Sequence, residues 1–179
     1  SLEEAHSRGL VHRDIKPANV HIGRMGLRHD YVKVLDFGLV KSVSTNSEDT
    51  VGTMTGFTPG TPAYMAPEQA MGEKVDHRVD IYALGCVAYF TLTGLKVFDA
   101  DTAFQMINRH LNDIPVPPSQ RAKLRIPESL EKLVLSCLAK NPAGRPQSAA
   151  ELGKALLAVQ TEPWTEDQAR DWWAKHQPA

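Results

Sequence analysis

The sequence predicts a mainly α-helical unit with one small β-hairpin near its N-terminus. Three observations carry that expectation. From Val79 onward the apolar residues recur with helical spacing. Before them lie two short β-type stretches, Val20-His21-Ile22 and Tyr31 to Leu35, separated by glycines and polar residues. The chain has 179 residues, 42% of them hydrophobic, enough to bury one real core.

In chain order, residues 2 to 8 read as the last turns of a helix, with Gly9 as its C-terminal cap. Between the two β-type stretches, Gly23, Gly26 and the polar run from Arg28 to Asp30 read as the hairpin connection. Residues 39 to 63, rich in Ser, Thr, Gly and Pro, read as a long exposed loop, and a loop of that length is usually functional. Asp80 to Leu92 is apolar nearly all round, the pattern of a central buried helix ending at Gly94. Asp101 to Leu111 is amphipathic, and Pro115, Pro117 and Pro118 then break the chain. Pro127 to Leu138 is the next helix, with Pro127 in its first turn. Ser148 with Glu151 has capping-box spacing before Ala149 to Val159, and Thr165 with Gln168 repeats it before Ala169 to Lys175.

Twenty Lys and Arg against twenty-one Asp and Glu leave a net charge of -1, without the basic excess that marks nucleic-acid or membrane-surface binding. The longest apolar run, near Ile81 to Leu92, is broken by Gly85 and Thr91 and is too short to span a bilayer. With no signal peptide either, a cytoplasmic location is the default. Cys86 and Cys137 each sit in an apolar helical pattern, so two buried thiols are expected rather than a disulfide.

The most informative stretch is His12 to Asn19, H-R-D-I-K-P-A-N, followed seventeen residues after Asn19 by Asp36-Phe37-Gly38. It places a candidate proton acceptor, a cation and two hard oxygen ligands in one short span. A protein hydroxyl is a poor nucleophile, and the charge on a phosphoryl group repels it. A site that joins them must orient the hydroxyl, take its proton and neutralise the phosphate oxygens. Any one of these residues alone is more often a cap or a solvated charge; the set at this spacing is highly specific.

The set resembles the catalytic loop and metal-binding triplet of protein kinases. The resemblance implies that Asp14 accepts the hydroxyl proton and that Lys16 aims its ammonium at the transferring phosphate, the Ser/Thr-kinase form of the loop. It implies that Asn19 and Asp36 hold Mg2+, and that Lys16, Asn19, His21 and Asp36 contribute to the ATP site. His12 and Phe37 would be hydrophobic supports without a catalytic role. His21 departs from the family, which has an aliphatic floor beneath the adenine there; a tolerated substitution is favoured over stacking on the ring.

Between Gly38 and Ala66-Pro67-Glu68 lie twenty-seven residues that include Thr45, Thr50, Thr53, Thr55, Thr58 and Thr61. By resemblance this is the activation segment. A phosphate on Thr53, Thr55 or Thr58 would pair with Arg13, although a threonine-rich loop is also simply compatible with solvent. Gly60 to Glu68 resembles the segment that receives the protein substrate, with Thr61 hydrogen-bonding near the catalytic base. Glu68 is expected to form a buried ion pair with Arg145 of N-P-x-x-R-P, and Asp80 to hold the catalytic-loop backbone.

The resemblance covers residues 2 to about 160 and corresponds to the larger, C-terminal lobe. It divides the chain into 1–160, the lobe, and 161–179, a tail with a short helix carrying Trp172 and Trp173, expected to pack on the domain rather than on a partner. The glycine-rich loop, the V-A-I-K lysine, its glutamate partner and the hinge are not in this sequence. The chain, which opens on Ser1, is therefore read as a piece of a serine/threonine kinase of the eukaryotic type found in bacteria, using ATP and Mg2+, with little or no activity by itself. The alternative is a non-catalytic module that docks substrates or a partner kinase through the Thr53 to Glu68 surface and the helix after Asp101.

Overall fold

In a computed structural model that describes residues 1–26, 28–36 and 61–177, the chain forms helices packed around one central helix, with a two-stranded antiparallel sheet at the N-terminal side. Phe37, Gly38, the threonines at 45, 50, 53, 55 and 58, and Gly60 lie outside the described residues.

Helix α1 (Leu2–Ser7) ends where Gly9 N–H donates to the His6 carbonyl and Leu10 N–H to that of Ala5, which satisfies two terminal acceptors. A turn at Pro17–Asn19 leads into β1 (Val20–Met25), which pairs with β2 (Arg28–Val34). The strands run further than the sequence pattern indicates: Gly23 and Arg28 to Asp30 lie in the strands rather than in the connection. A register irregularity between Gly23 and Met25, together with Asp30 at φ 56, lets backbone pairing continue through polar residues. The expected exposed loop to residue 63 is also corrected at its end, where Thr61–Tyr64 is a 3-10 turn that buries Ala63.

Helices α2 (Pro67–Ala70), α3 (Arg78–Thr93), α4 (Ala103–Asn112), α5 (Glu128–Cys137), α6 (Ala149–Leu157) and α7 (Glu166–His176) follow. The apolar wrap of α3 has its reason in its position: Val79, Ile81, Tyr82, Cys86 and Tyr89 are all buried, on several sides of the helix. One core joins Tyr82, Cys86 and Tyr89 to Phe98, Met106, Val134 and Leu138. A second packs Ile15 against Leu2 and Ala83, tying the H-R-D-I-K loop to α3. Gly94 closes α3 at φ 72, a conformation that a side chain disfavours.

Three helix ends differ from expectation. Pro127, with ψ 136, precedes α5 instead of sitting in its first turn. At α6 only half of the box forms: Ser148 Oγ accepts from Glu151 N–H, while the Glu151 carboxylate accepts from Gln147 N–H, and the helix stops at Leu157. At α7 both halves form between Thr165 and Gln168, so the helix starts at Glu166, earlier than its apolar pattern. Cys86 and Cys137 are buried free thiols, and burial pushes Cys86 up and Cys137 up to about 12.

Candidate active site

The His12–Asn19 loop is held from below by α3. The Asp80 carboxylate, fully buried, accepts from His12 N–H and Arg13 N–H, each at 2.8 Å, and lies 2.8 Å from His6 Nε2. Arg13 stands at φ 65, an uncommon conformation for a non-glycine residue that these bonds help to hold. The buried His12 ring reaches the Leu35 carbonyl at 2.8 Å, which ties the loop to the chain just before Asp36. Ile15 points into the core, so Asp14 and Lys16 on either side of it are turned outward and half-buried.

At the centre, one oxygen of Asp14 carries both local donors: Lys16 Nζ at 2.7 Å and Asn19 Nδ2 at 3.1 Å both meet Oδ2. Asn19 Nδ2 also donates to the Asp14 carbonyl at 2.8 Å. Among the described residues Oδ1 accepts no hydrogen bond and stays available. The buried Asn19 precedes β1, and Leu35 N–H donates to its carbonyl at 2.9 Å. Asp36 follows β2 at φ 62 with an exposed carboxylate. The hairpin thus brings Asn19 and Asp36 out at the same end of one ladder.

Mg2+ fits this donor set. Both Asn19 amide hydrogens are spent on Asp14, leaving Oδ1, and the Asp36 carboxylate has no hydrogen-bond partner among the described residues. Two hard oxygens with space for water and phosphate match that ion's preference. No cluster of three or more His, Cys, Asp or Glu among the described residues could hold an ion on its own. His21 lies exposed on β1 opposite Lys33.

Away from the loop, Arg145 forms a two-pronged pair with Glu68 at 2.6 and 2.8 Å. Its remaining N–H groups meet the carbonyls of Ala139, Arg78 and Lys140, so all five donors are used. Gln69, beside Glu68, donates to the Arg13 carbonyl at 3.2 Å and joins this anchor to the loop. Arg13 Nε is buried with no partner among the described residues. The Thr61 side chain lies outside them.

A model of the protein kinase domain matches residues 1–157. The chain belongs to the protein kinase family. It is 42% identical over 170 residues to the serine/threonine-protein kinase pkn3 of Myxococcus xanthus, a match covering 94% of this chain and 31% of the relative. To the PknB kinases of Mycolicibacterium smegmatis and Mycobacterium tuberculosis it is 42% and 40% identical over 159 residues, 89% of this chain and 24% of theirs. The chain therefore spans less than a third of the length of these curated relatives.

Within this kinase chain, sequence reasoning passed over three contributors. His6 touches Asp80, and its signal was a histidine six residues before His12 on the face of α1 that meets α3. Gln69 was readable only as a helix residue. Asp30 gave no signal: its partners, Trp164 and Trp173, are more than 130 positions away.

Proposed function

We propose that the chain is the larger, C-terminal lobe (1–160) and tail (161–179) of a serine/threonine protein kinase that moves the γ-phosphoryl group of ATP onto protein hydroxyls. The observation that carries this reading is the Asp14 carboxylate. Lys16 and Asn19 hold one oxygen, fixing the plane of the group, and the other oxygen is open to accept a hydroxyl proton as the bond to phosphorus forms. Lys16 is placed to exchange Asp14 for a phosphate oxygen when substrate arrives. Asn19 Oδ1 and Asp36 would hold Mg2+, which when bound neutralises phosphate oxygens. His21, on the strand after Asn19, would lie under the adenine. ATP and a protein substrate are the partners of this reading. The two free thiols are compatible with a cytoplasmic setting. Among the described residues no helix is long and apolar enough to cross a membrane.

Regulation follows from Arg13, whose buried Nε has no partner among the described residues; a phosphate on Thr53, Thr55 or Thr58 would supply one. In the full-length protein, Asp14→Asn should lower phosphate transfer by about 10²–10⁴-fold with an unchanged melting midpoint; undiminished transfer refutes the reading. The 179-residue chain alone, whose sequence has no glycine-rich loop, should transfer little labelled phosphate to a basic protein substrate.

Exposure of Phe104 (73%) and Ile114 (89%) beside α4 favours a second reading, a surface that docks a substrate or partner kinase. Phe104→Ser with Ile114→Ser should then raise KM for a protein substrate and leave KM for a short peptide unchanged.

A further inference from the structure

The family model stops at residue 157, yet the chain beyond it returns to the hairpin. Trp164 Nε1 donates to Oδ2 of Asp30 and Trp173 Nε1 to Oδ1, both at 2.7 Å. The Arg24 guanidinium lies 5.8 Å from the centre of the Trp173 ring, and Ala169 and Trp173 are buried. The two indoles, that of Trp164 foremost, hold the Asp30 carboxyl below its ordinary range, so it grips them as a charged acceptor. The match to the Myxococcus kinase covers 94% of the chain and so extends past residue 157.

The place that the tail grips is specific. The ladder pairs Gly23 with Tyr31 and Met25 with Arg28, so Arg24 faces two residues, His29 and Asp30. This is a bulge, and Asp30 at φ 56 is in it. A bulge is where strand register is decided, and a one-residue slip moves a strand by roughly 3.3 Å along its partner. A lone two-stranded hairpin holds register weakly, and this one leaves Ile22 and Val32 more than half exposed. Asn19 and Asp36 stand at its other end, so their relation depends on that register.

We propose that residues 158–177 form a positioning strap: Trp164 and Trp173, acting through Asp30 at the bulge, hold the register that sets Asn19 against Asp36, and thereby the affinity for magnesium. This rests on Asn19 and Asp36 being the metal ligands. Asp30, Trp164 and Trp173 are positioning residues that touch neither metal nor nucleotide.

The test uses the full-length protein with W164F/W173F, which keeps an aromatic ring at each position but removes both N–H donors along with part of each indole, and with Asp30→Asn alongside, which removes one acceptor oxygen and leaves both indoles whole. Amide exchange of residues 20–34 should quicken while that of α3 and α5 stays unchanged. The dissociation constant for Mn2+ with ADP present should rise about tenfold. Phosphate transfer should be lost at low Mg2+ and restored at high Mg2+, a rescue that simple destabilisation would not show. An unchanged Mn2+ affinity, with or without faster hairpin exchange, overturns the strap. Asp36→Asn separates the two ideas. If it weakens Mn2+ binding and W164F/W173F does not, the strap alone fails. If Asp36→Asn has no effect, the metal reading fails and takes the inference with it.

Discussion

Arg145 spends every N–H it owns inside the fold, two on Glu68 and three on backbone carbonyls. Removing either partner leaves the other's charge buried, which typically costs about 3–5 kcal/mol. Arg145→Ala and Glu68→Ala should each lower the denaturant midpoint by a comparable, large amount, and the double variant by much less than their sum. His110 shows a different sensitivity. Burial first, and the Lys140 ammonium second, push it down to about 4 against slight opposition from the Ala63 carbonyl, while its Nδ1 meets the Tyr82 hydroxyl at 2.8 Å. The unfolded chain therefore binds more protons between pH 6.5 and 4, and this residue's stability contribution is lost as pH falls through that window. The ceiling is about 3 kcal/mol. Denaturant midpoints taken from pH 7 to 4 should fall, and His110→Gln should flatten that slope. At this scale sequence motifs were most legible for side chains whose chemistry is local: Asp14, Lys16 and Asn19 lie within six positions and meet. His110 was not singled out, because a histidine on an amphipathic helix gives no sign of being sealed in.

At the scale of elements, α3 decides what can move. A Cβ on Gly85 would lie 2.7 Å from Cys137 Cβ and 3.2 Å from Leu138 Cδ2, so α5 rests directly on that backbone. Gly85→Ala should separate the helices and destabilise the chain by about 1–3 kcal/mol, read as a lower thermal midpoint. Helix existence was legible because burial imposes periodicity: α3, α4, α5 and α6 all appear where apolar spacing placed them. Helix ends and strand lengths were not. The ladder of β1 and β2 is built from backbone groups indifferent to side-chain polarity, so it resumes at Met25 and Arg28 beyond the bulge, and His29 and Asp30 lie within β2 although their sequence reads as a turn. Pro127 suits either the first turn or the residue before it, and only the backbone angle distinguishes them.

On the scale of the whole molecule, two ends of the chain meet at one hairpin. Its base carries Asn19 and leads to Asp36, and its far end is gripped by Trp164 and Trp173. Thermal unfolding followed by tryptophan emission should therefore show the tail leaving Asp30 before α3 and α5 separate, because that contact is only partly buried while the central core is sealed. Coincident transitions by emission and by far-UV circular dichroism would show one cooperative unit instead. Residue order alone carries membership and composition: eight consecutive residues and a triplet with family spacing, a helical period, two thiols with apolar neighbours. Those are short-range patterns, written into the order of residues. Folding alone settles which distant groups share a site. His6 on the Asp80 carboxylate, Gln69 on the Arg13 carbonyl and two indoles on Asp30 are set by how elements pack, α7 on β2 among them, and packing joins residues without regard to their separation along the chain.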